Sequence, residues 1–292
     1  MKELAREEVV LALGYFDSVH LGHRNLISAA REYAQAKGIG CAVATFSNNA
    51  YKLFNAYGKQ VYTYAERCSL LSELCDYVLP MRFDTRLKDL NAVDFLDSIT
   101  QKHNVKAFVC GYDYLFGAGA RGDAALLKSY AEDNGLDCIV VDKFELDGAR
   151  VSTSDVKEMI SAGDIEGANK FLGEPFFITG KVVKGRGAGR MFDIPTANLK
   201  VSPNKLLPLD GVYGTICEVD GATFYGATNV GARPTFGLNK TVVETMLADF
   251  NDNIYDKEIK VSFRKRLRGT VKFETPELLS KQVRKDIGWY KK

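Results

Sequence analysis

Apolar residues follow two different rhythms in the two parts of this chain. In the first part, unbroken apolar runs (Val9–Leu13, Cys41–Phe46, Tyr77–Pro80, Ala107–Cys110) alternate with stretches in which apolar residues return every three or four positions. Leu26, Ile27, Ala29, Ala30, Tyr33 and Ala34 show that second spacing, as do Ala65–Leu74 and Val93–Ile99. Unbroken runs suit strands buried on both faces, and the second spacing suits helices packed along one side. Strand, helix and strand in such short space make right-handed βαβ crossovers and a parallel sheet. The pattern therefore predicts an α/β domain of Rossmann-like architecture. A helix is expected from the hydroxyl-rich Val151–Lys157 to Gly163, and a second over Ile165–Leu172, capped by Asp164 and closed by Gly173. Glu174-Pro175 then marks the expected boundary, giving domains 1–173 and 174–292.

From Phe176 onward the runs become short and β-rich. Asp220-Gly221 has hairpin-turn chemistry between Tyr213–Glu218 and Thr223–Thr228, and further strands are expected at Phe177–Val183, Thr241–Leu247 and Ile259–Phe263. Strands without crossover helices predict an antiparallel barrel or sandwich. Asn229–Thr235, with Gly231 and Pro234, reads as a loop. Thr275-Pro276-Glu277 supplies the cap, first-turn proline and first-turn acid of a terminal helix that packs on this domain.

Length fits two cores, since 292 residues exceed the usual span of one. A formal net charge of +2 is too near neutral to argue for nucleic acid or an anionic membrane as the partner. No run is long enough to span a bilayer, and the charged Met1–Glu8 lacks a signal-peptide core, so a cytoplasmic protein is expected. The six cysteines fall singly and read as reduced small hydrophobes. Oligomeric state is left open.

The first chemically unusual stretch is Gly14–His23, where a strand passes into a helix. Gly14 relaxes the strand end and Gly22 opens the helix start, where unpaired N–H groups and the dipole favour an anion. Two of the chain's three histidines, His20 and His23, flank Gly22. No third ligand stands near them for a metal, whereas imidazole N–H groups suit phosphate. In Gly111–Gly117 the aromatics 112, 114 and 116 alternate around Asp113, an arrangement able to stack a flat ring or to form a glycine-bounded turn with its aromatics in the core. Among Ser152, Thr153, Ser154 and Lys157, helix capping and phosphate contact are both open.

In the second half, Gly180–Arg190 interleaves Gly180, Gly185, Gly187 and Gly189 with Lys181, Lys184, Arg186 and Arg190, which suits a polyphosphate, although a solvated glycine hairpin has the same composition. Thr196 and Asn198 are two apart in an extended segment and so point to one side as neutral oxygen ligands for Mg²⁺ or nucleotide phosphates. Glu244, inside an apolar strand, either faces solvent or acts as a base. Asp249, Asn251 and Asn253 have the spacing of a calcium loop, but Ile254 and Lys260 stand where glycine and glutamate are needed. The basic Arg264–Arg268 run reads as charges on an exposed strand edge.

Taken together, these motifs resemble the prokaryotic bifunctional riboflavin kinase/FAD synthetase family over nearly the whole chain. Gly14–His23 is similar to the His-x-Gly-His signature of nucleotidyltransferases, Gly111–Gly117 to the flavin-adenylyltransferase motif, and Val151–Lys157 to its hydroxyl-rich helix start. Pro195–Asn198 resembles the kinase Mg-ATP motif, Gly211–Tyr213 and Asn229–Thr235 its core signatures, and Glu244 stands where the family has its catalytic base. The resemblance implies a kinase barrel and an FMN adenylyltransferase domain using ATP, Mg²⁺ and flavins. It implies His20, His23 and Glu244 as catalytic residues, Thr196 and Asn198 as metal ligands, and the following as substrate contacts: Gly14, Phe16, Asp17, Gly22, Gly111, Asp113, Phe116, Ser152, Ser154, Lys157, Gly180, Lys181, Gly185, Gly187, Thr196, Asn198 and Arg268. The chain departs from the family pattern at Ser47–Ala50, where Asp-Pro-His-Pro is usual, at Lys157, where arginine is usual, and at Asp193-Ile194, where Gly-Phe is usual. Two other readings follow: a kinase with a weak or altered adenylyltransferase half, and a flavin- or nucleic-acid-binding regulator built on an inactive enzyme.

Overall fold

The computed structural model describes residues 7–54, 58–184, 196–235, 238–250 and 252–291. They form two compact units, Met1–Thr153 and Ser154–Lys292.

The first unit holds β1 (Val9–Leu13), α1 (Leu21–Lys37), β2 (Gly40–Phe46), α2 (Tyr64–Ser72), β3 (Tyr77–Met81), α3 (Thr85–Asp89), α4 (Ala92–Thr100), β4 (Val105–Gly111), α5 (Ala124–Asp133), β5 (Asp137–Val141) and a small ribbon of β6 (Glu145–Leu146) and β7 (Ala149–Arg150). Its main sheet has the order β3-β2-β1-β4-β5, with every neighbouring pair parallel. The apolar runs become its strands, as expected, and β5 with α5 adds a βα repeat that the sequence reading passes over. β1 lies at the centre, all five of its residues buried, and packs in a core with Phe108, Leu96 and Leu127. Each such side chain contributes roughly 1.5–3 kcal/mol by leaving water. The strand order reverses direction at β1, and in such sheets ligands bind beyond the carboxyl end of the strand at the reversal. Gly14 begins there.

The second unit starts within α6 (Thr153–Ala162) and continues through α7 (Ile165–Leu172) into β8 (Phe177–Val183), β9 (Ala197–Lys200), β10 (Gly211–Val219), β11 (Ala222–Thr235), β12 (Leu238–Leu247), β13 (Glu258–Arg268) and α8 (Pro276–Ile287). The strands close into a barrel of order β10-β11-β12-β9-β8-β13. The sequence reading cuts the chain after Gly173, whereas the structure groups α7 with the barrel. Asn169 explains why: its amide donates to the Phe263 carbonyl at 2.9 Å and accepts from the Phe176 N–H at 2.7 Å. Asn229–Thr235 is not a loop but the end of β11, paired residue by residue with β12. Inside the barrel, Thr215, Thr228 and Thr245 are fully buried and their hydroxyls form a chain of 2.8 Å contacts. The chain's single tryptophan, Trp289, follows α8 and donates its indole N–H to the Gly226 carbonyl at 2.8 Å, while Tyr290 stacks on Tyr225 at 4.0 Å.

Candidate active site

At the carboxyl end of β1 the backbone makes a tight, buried turn. Phe16 and Val19 take positive φ values of 52° and 45°, a region that costs a bulky or β-branched residue about 1–3 kcal/mol and that clusters at functional sites. His20 ends the turn as the N-cap of α1, its Nδ1 accepting the His23 N–H at 3.1 Å. The two imidazoles are stacked, with ring centroids 3.7 Å apart and planes 6° from parallel, and Phe16 meets the edge of His23. Burial, and next the neighbouring His20, hold the His23 imidazole well below the ordinary histidine range near 6.5, so the ring is neutral. Its buried Nδ1 has no hydrogen-bond partner among the described residues.

Gly22 also serves the packing of its own turn. A Cβ there would lie 3.1 Å from the His20 ring, so the small residue makes room for the imidazole of the same turn. Gly14 likewise leaves space for the Phe16 ring, which a Cβ would meet at 2.9 Å.

Asp17, expected to touch substrate, is turned into the fold with 1% exposure. Its carboxylate accepts the Val61 N–H at 3.1 Å and the Tyr51 hydroxyl at 3.0 Å, and lies 3.7 Å from the Arg67 guanidinium. Ser18 is buried too, its hydroxyl 3.0 Å from that of Thr153. The departures at Ser47–Ala50 are built into the loop. Asn48 exchanges hydrogen bonds with the Phe83 backbone in both directions, and Asn49 joins the Gly58 carbonyl to the Tyr51 N–H.

Around Gly111–Gly117 the three aromatics part company. Tyr112 is 43% exposed, while Phe116 enters the core against Phe95 and stacks with Tyr114. Gly111 ends β4 and Asp113 is exposed on the following turn. The structure thus gives Phe116 the packing role of a core side chain and leaves Tyr112, Asp113 and Leu115 at the surface. Ser152 precedes α6; the exposed Ser154 and half-buried Lys157 lie in its first turns.

In the barrel, pairing brings the candidates into one row. Asn198 on β9 is the cross-strand partner of Glu244 on β12, and Glu244 is in turn the partner of Asn229 on β11. Residues 243, 245 and 247 are buried and alternate with the half-buried Glu244 and Met246, so Glu244 points away from the threonine-lined interior. Asn198 is nearly buried and Thr196 immediately precedes β9. Asn229 is the member that sequence reasoning passed over, because Gly231 and Pro234 made its segment look like a loop.

Three further candidates sit elsewhere. Gly180 lies within β8, where its missing Cβ admits Leu199 and the Lys200 carbonyl at 3.2 Å, and Lys181 forms an exposed ion pair with Asp256 at 3.0 Å. Both belong to a strand and not to a glycine loop. Gly185, Gly187 and Arg190 lie outside the described residues, as do Asp193 and Ile194. Arg268 is engaged by Asp286 of α8, with Nη2 2.7 Å and Nε 3.0 Å from the same carboxylate oxygen, so its charge is already matched inside the protein.

Among the described residues no group of three His, Cys, Asp or Glu could hold a metal, and no helix is long and apolar enough to cross a membrane. A stacked imidazole pair stands at a helix start in one unit, and a carboxylate in register with two asparagines in the other; the chain is a two-domain transferase, as the family profiles that match its two halves establish. A family profile described as FAD synthetase matches residues 2–155, and one described as riboflavin kinase matches residues 172–292. The chain belongs to the bifunctional riboflavin kinase/FMN adenylyltransferase family. It is 33% identical to the enzyme of that description from Bacillus subtilis over 95% of this chain and 90% of that one, and 31% identical to the one from Escherichia coli K12 over 98% and 93%. A crystal structure described as a macrolide-efflux protein from Streptococcus pneumoniae superposes with a TM-score of 0.87 at 29% identity, covering 96% of this chain and 93% of that one.

Proposed function

We propose that this chain phosphorylates riboflavin to FMN in its barrel unit and converts FMN to FAD in its α/β unit, each step consuming one ATP and the second releasing pyrophosphate. The observation that carries this reading is the pairing of motif with unit. The His20–His23 helix start lies in the part matched by the FAD synthetase profile, and the Asn198–Glu244–Asn229 row in the part matched by the riboflavin kinase profile.

In the barrel, Glu244 accepts the proton of the terminal ribityl hydroxyl as its oxygen forms the new bond to the γ-phosphorus of ATP and ADP leaves. The flanking Asn198 and Asn229 amides orient the carboxylate and the hydroxyl it serves. Thr196 and Asn198, neutral oxygen donors two residues apart, fit the few protein ligands that Mg²⁺ takes beside nucleotide phosphates. The ion, when bound, neutralises charge on those phosphates.

In the α/β unit an FMN phosphate oxygen attacks the α-phosphorus of ATP, and the bond to pyrophosphate breaks. The phosphate is already ionised, so no base is required. His20 accepts a backbone N–H at Nδ1, so the ring hydrogen is on Nε2, which serves as a donor to phosphate when substrate binds. His23 and the free N–H groups of α1 complete the anion site. Tyr112, Asp113 and Leu115 remain available to flavin. Ser152, Ser154 and Lys157 are retained as phosphate contacts. Both steps use ATP and small molecules, which fits a cytoplasmic enzyme.

A kinase with a weakened first half is not favoured, because the unusual Asn48 and Asn49 serve the loop's own backbone and both family profiles match. Purified protein incubated with riboflavin and Mg-ATP, with flavins resolved by chromatography, is expected to yield FMN and then FAD. FMN alone would remove the second activity, and neither product would remove both.

A further inference from the structure

We propose that Arg67, acting through Asp17, is a positioning residue for adenylyl transfer: this buried ion pair holds the strained turn that presents His20 and His23. The inference rests on the reading of the α/β unit given above and concerns residues to which that reading gives no role.

Arg67 sits on α2 and is completely buried, so its guanidinium reaches no substrate. Two of its three nitrogens are engaged within the fold, while the buried Nε has no hydrogen-bond partner among the described residues. One nitrogen lies 3.7 Å from Asp17 and donates to the Tyr62 carbonyl at 3.0 Å; another donates to the Phe46 carbonyl. Its flat face covers the Tyr15 ring at 4.9 Å. The side chain therefore ties together the end of β2, the segment before α2, and both Tyr15 and Asp17 of the turn. The helix that carries it is itself fixed at its start, where Thr63 and Glu66 form a reciprocal capping box.

What this clamp holds is costly. Asp17 and Ser18 lie between the two positive-φ residues, Phe16 and Val19, and all four are buried. Left without its counter-ion, the Asp17 carboxylate would be drawn toward water, because an unpaired buried charge is far more expensive than a paired one. Moving Asp17 outward relaxes Phe16 and Val19 and displaces His20, which follows directly as the helix cap. Phe16 also edges onto His23, so the same movement disturbs the second imidazole. A shift of about 1 Å in groups that stabilise a transition state costs about 10²-fold in rate. The Tyr62 N–H, bonded to the Asp17 carbonyl at 3.1 Å, and the Tyr51 hydroxyl brace the same residue from the loop side.

The chain's three histidines make the test specific, since His20, His23 and His103 all lie in the first unit and only the first two belong to the turn. Full-length wild type, Arg67→Met, Arg67→Lys and Asp17→Asn are compared by FMN-to-FAD kinetics and by the imidazole Hε1 signals in NMR. In Arg67→Met, kcat is expected to fall about 10²-fold with KM for ATP nearly unchanged. The His20 and His23 signals should move while that of His103 stays, which a general loss of folding would not produce. Arg67→Lys, which keeps the charge but not the fork, should recover part of the rate. An Arg67→Met enzyme with kcat within about threefold of wild type, or with His20 and His23 signals unmoved, would overturn the proposal. Should Arg67→Met fail to fold, the isosteric Asp17→Asn decides by the same two readouts. A wild type that makes no FAD would instead count against the proposed activity, and the NMR comparison would still rule on the clamp.

Discussion

Asn198 and Glu244 stand opposite one another on adjacent antiparallel strands, and Glu244 has Asn229 as its partner on the other side. This register sets Glu244 beside two neutral amide side chains on the neighbouring strands, which suits the base role proposed for it. Glu244→Gln keeps the shape and removes the basicity. It is expected to lower riboflavin phosphorylation by about 10²–10⁴-fold and to leave FMN-to-FAD conversion within about twofold of wild type, because the second reaction uses the other unit. Steady-state assays with riboflavin and with FMN as separate starting substrates check both halves.

His23→Ala is expected to do the reverse. If this imidazole stabilises developing phosphate charge as proposed, its loss should cost about 10²–10³-fold in FAD formation, with FMN formation intact. Parallel assays on one preparation decide it, and loss of both activities would show that the two sites are not independent.

The half-buried His23 also links folding to pH. Its pKa is lowered in the folded protein by burial, so between that depressed value and the ordinary 6.5 the unfolded chain binds the extra proton. Stability of the α/β unit therefore rises as pH increases through this window and falls as pH drops below about 6.5. His103, lowered mainly by burial, acts in the same direction. Thermal melts from pH 5 to 7.5 should show this slope, and His23→Gln, which does not titrate, should flatten it.

Inside the barrel, Thr245→Val removes the hydroxyl that accepts from Thr228 and leaves a buried donor unsatisfied. The expected cost is about 1–3 kcal/mol, whereas Thr245→Ser restores most of it. Urea unfolding of the two variants measures the difference.

Asp286→Ala leaves Arg268 without its carboxylate and frees α8 from β13. A charge-assisted hydrogen bond of this kind contributes about 1.5–3 kcal/mol, so a loss of that size is expected in barrel stability by the same measurement.

Much of the architecture was legible because it depends on local rhythm: unbroken apolar runs for β1, β2 and β4, three-and-four spacing for the helices, and Asp220-Gly221 for the hairpin. The paired histidines stood out because histidine is rare in this chain. Arg67 gave no such signal. It occupies an ordinary position in a helical repeat and becomes a buried clamp only because Asp17, distant in sequence, is folded onto it. Asn229 was hidden for a related reason: Gly231 and Pro234 carry loop chemistry, yet the strand pairing with β12 runs through both. Asp17 reads as a ligand contact because a carboxylate in a phosphate-binding motif invites one, and its burial against Val61, Tyr51 and Arg67 leaves no signal in the sequence. Gly180 and Lys181 looked like part of a phosphate loop because composition does not reveal where a strand ends.

Trp289, joined to the β11 backbone through Gly226, gives the molecule an optical label confined to one half. Because no other tryptophan exists in the chain, red-edge excitation reads the barrel alone. The emission shift as Trp289 leaves Gly226 and meets water therefore follows melting of the kinase half in the intact protein, while the histidine signals report on the other half. The two halves can thus be followed separately without cutting the chain.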